Sequence, residues 1–138
     1  MKKILILTHG EYANGILNSL VMISGQQPNV TTICIRDEDT PDFITNEISN
    51  YFDTTSIEDI KIIITDIPGG SSTRVALPFA CNDKNIYLIT GLNLALLLEI
   101  VLNPSEEHIE EQIKNAIENA KDSIMYLNDM VNSMKNTK

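Results

Sequence analysis

Positive charge, cysteine and long apolar runs are all scarce in this chain. Ten lysines and arginines stand against nineteen aspartates and glutamates in 138 residues, a net charge of −9. That balance argues against nucleic acid or an anionic membrane as the main partner and favours a basic protein surface. The two cysteines, Cys34 and Cys81, lie in apolar contexts without metal-ligand spacing. Buried, reduced thiols are therefore expected, with no disulfide and no metal site. Before His9 the chain offers two lysines and then five apolar or near-apolar residues. This is too short for a signal peptide or a membrane span, so a soluble, cytoplasmic protein is expected. Internal repeats, low-complexity stretches and linkers are missing as well. Residues 1–138 read as a single domain whose polar tail, about 132–138, is expected to fray.

What is present is an alternation of short β-branched runs with amphipathic segments, the pattern of βαβ units around a parallel sheet. Strands are expected at Ile4–Thr8, Val30–Ile35, Ile60–Thr65 and Ile86–Thr90. Most lack polar alternation, as strands covered on both faces should. A first helix is expected from about Ala13 to Ser24, with Ile16, Leu17, Leu20, Val21 and Ile23 facing the core and Gly25 as C-cap. Thr40 and Pro41 start a second, with Phe43, Ile44, Ile48, Tyr51 and Phe52 as its stripe. The serines at 71 and 72 can cap a third, through about Asn82, which Pro78 is expected to kink or shorten. Leu94–Leu102 is apolar on nearly every side apart from Glu99, so it is either deeply buried or covered by another subunit, and an interface is the favoured reading. Ser105 reads as the cap of a last helical stretch, one helix or two in series. Its stripe from Ile109 to Met134 is expected to dock on the sheet. The fold class is α/β: one doubly wound domain, a mainly parallel four-stranded sheet of order 2-1-3-4 with helices on both faces and a long C-terminal helix.

In such sheets reactive groups gather beyond the carboxyl ends of the strands, where strand order reverses. His9 and Asp66 each follow a strand-terminal threonine, on strands that this order makes neighbours. A carboxylate accepting one imidazole N–H fixes the tautomer and leaves the other nitrogen a free lone pair. Taken singly, His9 is also an ordinary turn residue and Asp66 an ordinary cap of the turn into Pro68. Gly69 and Gly70 permit close backbone approach, and Ser71 or Ser72 can offer a hydroxyl to a phosphoryl oxygen. No Gly-Lys-Ser/Thr follows, and no Gly-x-Gly-x-x-Gly follows the first strand, which argues against a nucleotide site. Gly-x-Ser-x-Gly is missing too, which argues against a hydrolase built from Ser71, His9 and Asp66. Arg74 and His108 read as solvated surface residues.

His9-Gly10-x-x-Ala13-x-Gly15, Asp66-x-x-Gly69-Gly70-Ser71 and Thr90-Gly91-x-Asn93-Leu94-x-x-Leu97-Leu98-Glu99 together resemble the enzyme IIA component of the mannose-type family of the bacterial sugar phosphotransferase system. The resemblance implies a cytoplasmic homodimer that takes a phosphoryl group from the phosphocarrier HPr. It would hand that group to enzyme IIB, for sugar entering through the membrane permease IIC/IID. It implies His9 as a transient phosphohistidine at Nε2, Asp66 on Nδ1–H, and Ser71 with the glycine backbone near the phosphoryl oxygens, with no cofactor or metal. Ser72 and Ala95 depart from the family pattern, which often has proline at both places, and bear on loop shape and partner choice. Pro68 and Arg74 resemble the branch serving N-acetylgalactosamine or related amino sugars. Some members end in an edge strand exchanged across the dimer; this chain's ending reads as helix. The alternative from another class is a flavodoxin-like regulatory module that binds a ligand or partner without covalent chemistry.

Overall fold

The computed structural model describes residues 1–136. Strands β1 (Lys2–His9), β2 (Val30–Ile35), β3 (Ile60–Thr65) and β4 (Ile86–Thr90) form one sheet of order β2-β1-β3-β4. Every neighbouring pair is parallel. Helices α1 (Tyr12–Ser24), α2 (Pro41–Asp53) and α3 (Ser71–Asn82) link successive strands, and α4 (Leu94–Leu102), α5 (Ile109–Asp122) and α6 (Leu127–Asn136) follow β4. The expected class and strand order are thus observed.

Side-chain alternation along the strands divides the core in two. Ile4, Ile6, Ile62 and Ile64 pack with α1, α4 and α5, whereas Leu5, Leu7 and Ile63 pack with α2 and α3. Each such aliphatic side chain, once fully buried, contributes about 1.5–3 kcal/mol. Because the central strands carry helices on both faces, β1 and β3 read as continuous apolar runs. The chain leaves β1 for β2 on one side and returns past it to β3 on the other, so the carboxyl ends of β1 and β3 mark the switch point.

Several local expectations change. Strand β1 runs one residue past Thr8, so His9 is its last residue. In α1, Ile23 is exposed, while Gly25 closes the helix with φ +82° and its N–H on the Val21 carbonyl at 2.8 Å. Thr40 caps α2 by accepting the Phe43 N–H at 3.1 Å, but Phe43 itself turns outward. Pro78 lies on the exposed face of α3 and does not stop it before Asn82. Helix α4 is covered on one side by its own chain: Leu96, Leu97 and Ile100 are buried in a cluster with Ile109, Ile113 and Ala116 of α5. Leu94, Ala95, Leu98 and Val101 are only partly buried, and Leu102 is exposed.

Ser105 is not the cap of α5. Asn103 turns the chain by accepting the Ser105 N–H at 3.0 Å, and Ser105 accepts the Glu107 N–H at 3.2 Å. His108, at φ 55°, then admits the chain to the helix at Ile109. The apolar stripe is divided between two helices. Ile109, Ile113, Ala116 and Ala120 are buried, but Ile124, Leu127, Val131 and Met134 beyond the break at Ser123 are exposed, so the second half does not dock on the sheet. Residues 132–136 of the expected tail continue in α6, and 137–138 lie outside the described residues. Among the described residues no fifth strand joins the sheet, and no helix is long and apolar enough to cross a membrane. Cys34 is half-buried and Cys81 exposed, so neither is the fully buried thiol expected; Cys81 falls on the outward side of α3.

Candidate functional site

Strand β1 delivers His9 to the switch point, and the turn after it is built to present the ring. Thr8 is fully buried, and its hydroxyl oxygen accepts the Ala13 N–H at 2.8 Å, pinning the first turn of α1 beneath the histidine. Gly10, at φ +57°, makes the sharp turn between them and donates its N–H to the Ile35 carbonyl at 2.8 Å. The His9 side chain remains 42% exposed.

Strand β3 delivers Asp66 beside it. Its Oδ2 accepts both the backbone N–H of His9 at 2.9 Å and the ring Nδ1 proton at 2.8 Å. Its Oδ1 accepts the Ile67 N–H at 3.1 Å and the Ser72 hydroxyl at 2.6 Å. Burial pushes this carboxyl upward, but the Ser72 hydroxyl, the His9 N–H and the His9 ring outweigh it and hold Asp66 at about 2. The group is ionised at neutral pH and only accepts, so the imidazole proton resides on Nδ1. Nε2 therefore carries the lone pair, and Ser71 Oγ lies 3.2 Å from it, placed to donate.

The turn from 66 to 70 seats α3 against the histidine. Gly70 is the N-cap, and no side chain caps the helix, so its first-turn N–H groups face the space around His9 and Ser71. A Cβ on Gly70 would fall 2.7 Å from His9 Cε1 and 3.0 Å from Ile67 Cγ1, so glycine is required for the ring to hold its position. Thr73 fastens the turn by donating to the Ile67 carbonyl at 2.7 Å, with Thr65 Oγ1 also 2.7 Å away. Gly70→Ala is accordingly expected to displace the ring from Asp66. Any phosphorylation rate measured at His9 should fall about tenfold or more, the consequence of losing one charge-assisted hydrogen bond. An unchanged rate would mean that the ring tolerates displacement.

The structure brings His9, Asp66, Gly70, Ser71 and Ser72 together, but in distinct positions. Ser72 is fully buried and turned to Asp66, leaving Ser71 as the serine beside the ring. No atom approaches the Cβ direction of Gly69; its carbonyl accepts from Arg74 at 3.3 Å, which ties that exposed cation to the loop. The Thr90-Gly91-x-Asn93 segment supports the site from behind. Gly91 and Leu92 both donate to the Thr65 carbonyl at 3.1 Å, and Asn93 caps α4 by accepting the Leu96 N–H at 2.8 Å.

Two participants were not found in the sequence. Tyr12 donates its hydroxyl to the Leu92 carbonyl at 2.7 Å, joining α1 to the loop after β4; burial and the Asp66 charge both raise its pKa. A cleft of about 610 Å³ opens from His9 and Ser71 towards Ile44, walled by Glu11, Arg36 and Asp39. Arg36 reaches Glu11 at 3.4 Å across this cleft. Nothing in the spacing of these residues marks them, because they meet only through the pairing of β1 with β2. Among the described residues no group of three or more histidine, cysteine or carboxylate side chains is arranged to hold a metal ion.

A doubly wound α/β domain with a carboxylate-oriented histidine at its switch point, and an uncapped helix facing that ring, is the architecture of a group-transfer component. Residues 3–117 match the family model described as the PTS system fructose IIA component, EIIA-man. The chain belongs to this mannose-type enzyme IIA family of the sugar phosphotransferase system. It is 32% identical to a Klebsiella pneumoniae protein named for a phosphoenolpyruvate-dependent sugar phosphotransferase system permease, with a TM-score of 0.83 over 94% of this chain and 93% of that one. The phosphotransferase system component EIIA of Streptococcus agalactiae is 26% identical, with a TM-score of 0.84 over 94% and 99% of the two chains. A IIA protein associated with the fucose utilization operon of Streptococcus pneumoniae is 27% identical, with a TM-score of 0.82 over 94% and 96%.

Proposed function

We propose that this IIA component is a cytoplasmic phosphoryl carrier that accepts a phosphoryl group from phospho-HPr on His9 Nε2 and passes it to enzyme IIB, serving sugar uptake through the IIC/IID permease. The observation that carries the reading is the His9 Nδ1 to Asp66 Oδ2 contact of 2.8 Å, which leaves Nε2 as the nucleophile. In the accepting step the Nε2 lone pair bonds to phosphorus as the N–P bond of the donor phosphohistidine breaks, and the donor nitrogen leaves with that electron pair. The His9 ring, phosphorylated at Nε2 and protonated at Nδ1, carries a positive charge that ionised Asp66 stabilises. Ser71, no longer able to donate to Nε2, turns its hydroxyl to a phosphoryl oxygen, and the first-turn N–H groups of α3 supply further donors. The second step reverses this chemistry towards a histidine of enzyme IIB. Donor and acceptor nitrogens are of one kind, so the protein has only to position the groups and stabilise charge, with no metal or cofactor of its own. The chain's net charge of −9 favours a basic carrier surface.

The test is incubation with phosphoenolpyruvate, enzyme I and HPr, followed by intact mass and by chase with enzyme IIB. An acid-labile phosphoryl group that IIB discharges supports the carrier. If the protein acquires none, the covalent reading fails, and a flavodoxin-like module that binds without transferring phosphate takes its place. A homodimer belongs to the same proposal and is read from the mass in solution.

A further inference from the structure

The first turn of α3 holds the His9–Asp66 pair from both ends. Ser71 Oγ stands 3.2 Å from Nε2 of the ring, and Ser72, the next residue, donates to Asp66 Oδ1 at 2.6 Å. The ring proton and the His9 N–H lie on the other oxygen, Oδ2, at 2.8 and 2.9 Å. Of the donors on this carboxylate, which include the Ile67 N–H at 3.1 Å, the Ser72 hydroxyl is the nearest. Its side chain is fully buried, whereas that of His9 is 42% exposed. Solvent therefore does not reach the Ser72 hydroxyl to compete for it.

Donors on the two oxygens of one carboxylate draw on the same charge. Burial raises the Asp66 pKa, and among the contacts that lower it the Ser72 hydroxyl is the largest, ahead of the His9 N–H and the His9 ring. Charge that Ser72 draws towards Oδ1 is withdrawn from Oδ2. The consequence falls on the phosphorylated ring, because Nδ1 then faces Asp66 as part of a cation, and that pairing is only as strong as the charge left on Oδ2. We propose that Ser72 is a positioning residue that sets the phosphoryl-transfer potential of His9: its hydroxyl weakens the hold of Asp66 on the phosphorylated imidazole, which favours release of the phosphoryl group to the next histidine. The inference rests on the carrier reading and adds to it what balances holding the group against passing it on. The coupling is reciprocal, so phosphorylation weakens the Ser72 contact by the same free energy.

The exchange equilibrium between HPr and the full chain tests the assignment. The N–P bond on His9 forms as that on the HPr histidine breaks, so the equilibrium ratio of the two phosphoproteins, read by intact mass, measures the potential. In Ser72→Ala the ratio is expected to move towards phosphorylated His9 by about three- to tenfold, a fraction of one charge-assisted hydrogen bond. The His9 Nδ1 proton of the unphosphorylated variant is expected further downfield, because Asp66 bonds it more strongly. Asp66 Oδ1 keeps the Ile67 N–H, so the variant is expected to fold. Ser72→Cys, a weaker donor, is expected to move both readings less and in the same direction, and it carries the test if the alanine variant does not fold. In an Asp66→Asn background, Ser72→Ala is expected to leave the ratio within about twofold, because the hydroxyl acts through the carboxylate. Four results overturn the proposal: an unchanged ratio, even with slower exchange; a ratio moved towards phospho-HPr; an unmoved Nδ1 proton; or an equal shift in the Asp66→Asn background. If the parent itself takes no phosphoryl group, the carrier reading fails and the inference with it, a result read before Ser72 is altered.

Discussion

His9→Ala is expected to accept no phosphoryl group from phospho-HPr while remaining folded. Nε2 is the nucleophile of the proposed step, and no neighbouring group replaces it: Ser71 has no adjacent base once the ring is gone, and Asp66 is committed to its donors. Three hydrogen bonds to the Asp66 carboxylate survive, from the His9 N–H at 2.9 Å, the Ile67 N–H at 3.1 Å and the Ser72 hydroxyl at 2.6 Å. The side chain removed is 42% exposed, so little core packing is lost and the thermal midpoint should change little. Acid-labile phosphate is measured by intact mass on both proteins. Persistence of the phosphoryl group in the variant would keep a carrier but move its chemistry to another residue.

Asp66→Asn is expected to fold and to transfer phosphate about 10–100-fold more slowly. The loss corresponds to one charge-assisted hydrogen bond of about 1.5–3 kcal/mol that strengthens as the ring becomes cationic. A neutral amide no longer compels the proton onto Nδ1, and it offers no counter-charge to the phosphorylated imidazolium. Single-turnover transfer from phospho-HPr measures the effect, and an unchanged rate would remove the orienting role. The same substitution has a signature in acid. The folded-state pKa of Asp66 is lowered from the ordinary 3.8 to about 2, so its contribution to stability is fully present above about 4. It is lost as pH falls through about 2, and with the carboxylate only 10% exposed it amounts to about 2 kcal/mol. The parent should therefore lose more stability than Asp66→Asn between these values in chemical denaturation.

The sheet was legible because its cause is local. Ile4–Leu7 and Ile62–Ile64 are buried on both faces, and such strands declare themselves as unbroken apolar runs bounded by turn residues. The His9–Asp66 pair was legible for a related reason: His9 ends one strand, Asp66 directly follows another, and one topological order makes those strands neighbours. What the spacing left open was the direction of each side chain at the turn. Ser71 and Ser72 are equivalent in composition, and only the first turn of α3 decides that one faces Nε2 and the other Asp66. Gly69 and Gly70 are likewise alike in sequence, yet only Gly70 meets the ring. At Leu94–Leu102 the spacing left the covering element open, because an all-round apolar helix reads the same whether α5 or a second subunit covers it. The C-terminal stripe keeps its periodicity past Ser123, and periodicity carries no information about where a helix breaks.

The measurement closest to the central claim is phosphorus–nitrogen correlated NMR on nitrogen-labelled protein charged with phospho-HPr. The structure predicts coupling of phosphorus to Nε2 of His9 and a proton on Nδ1 held by Asp66. Phosphorus on Nδ1, or on any residue other than His9, would contradict it.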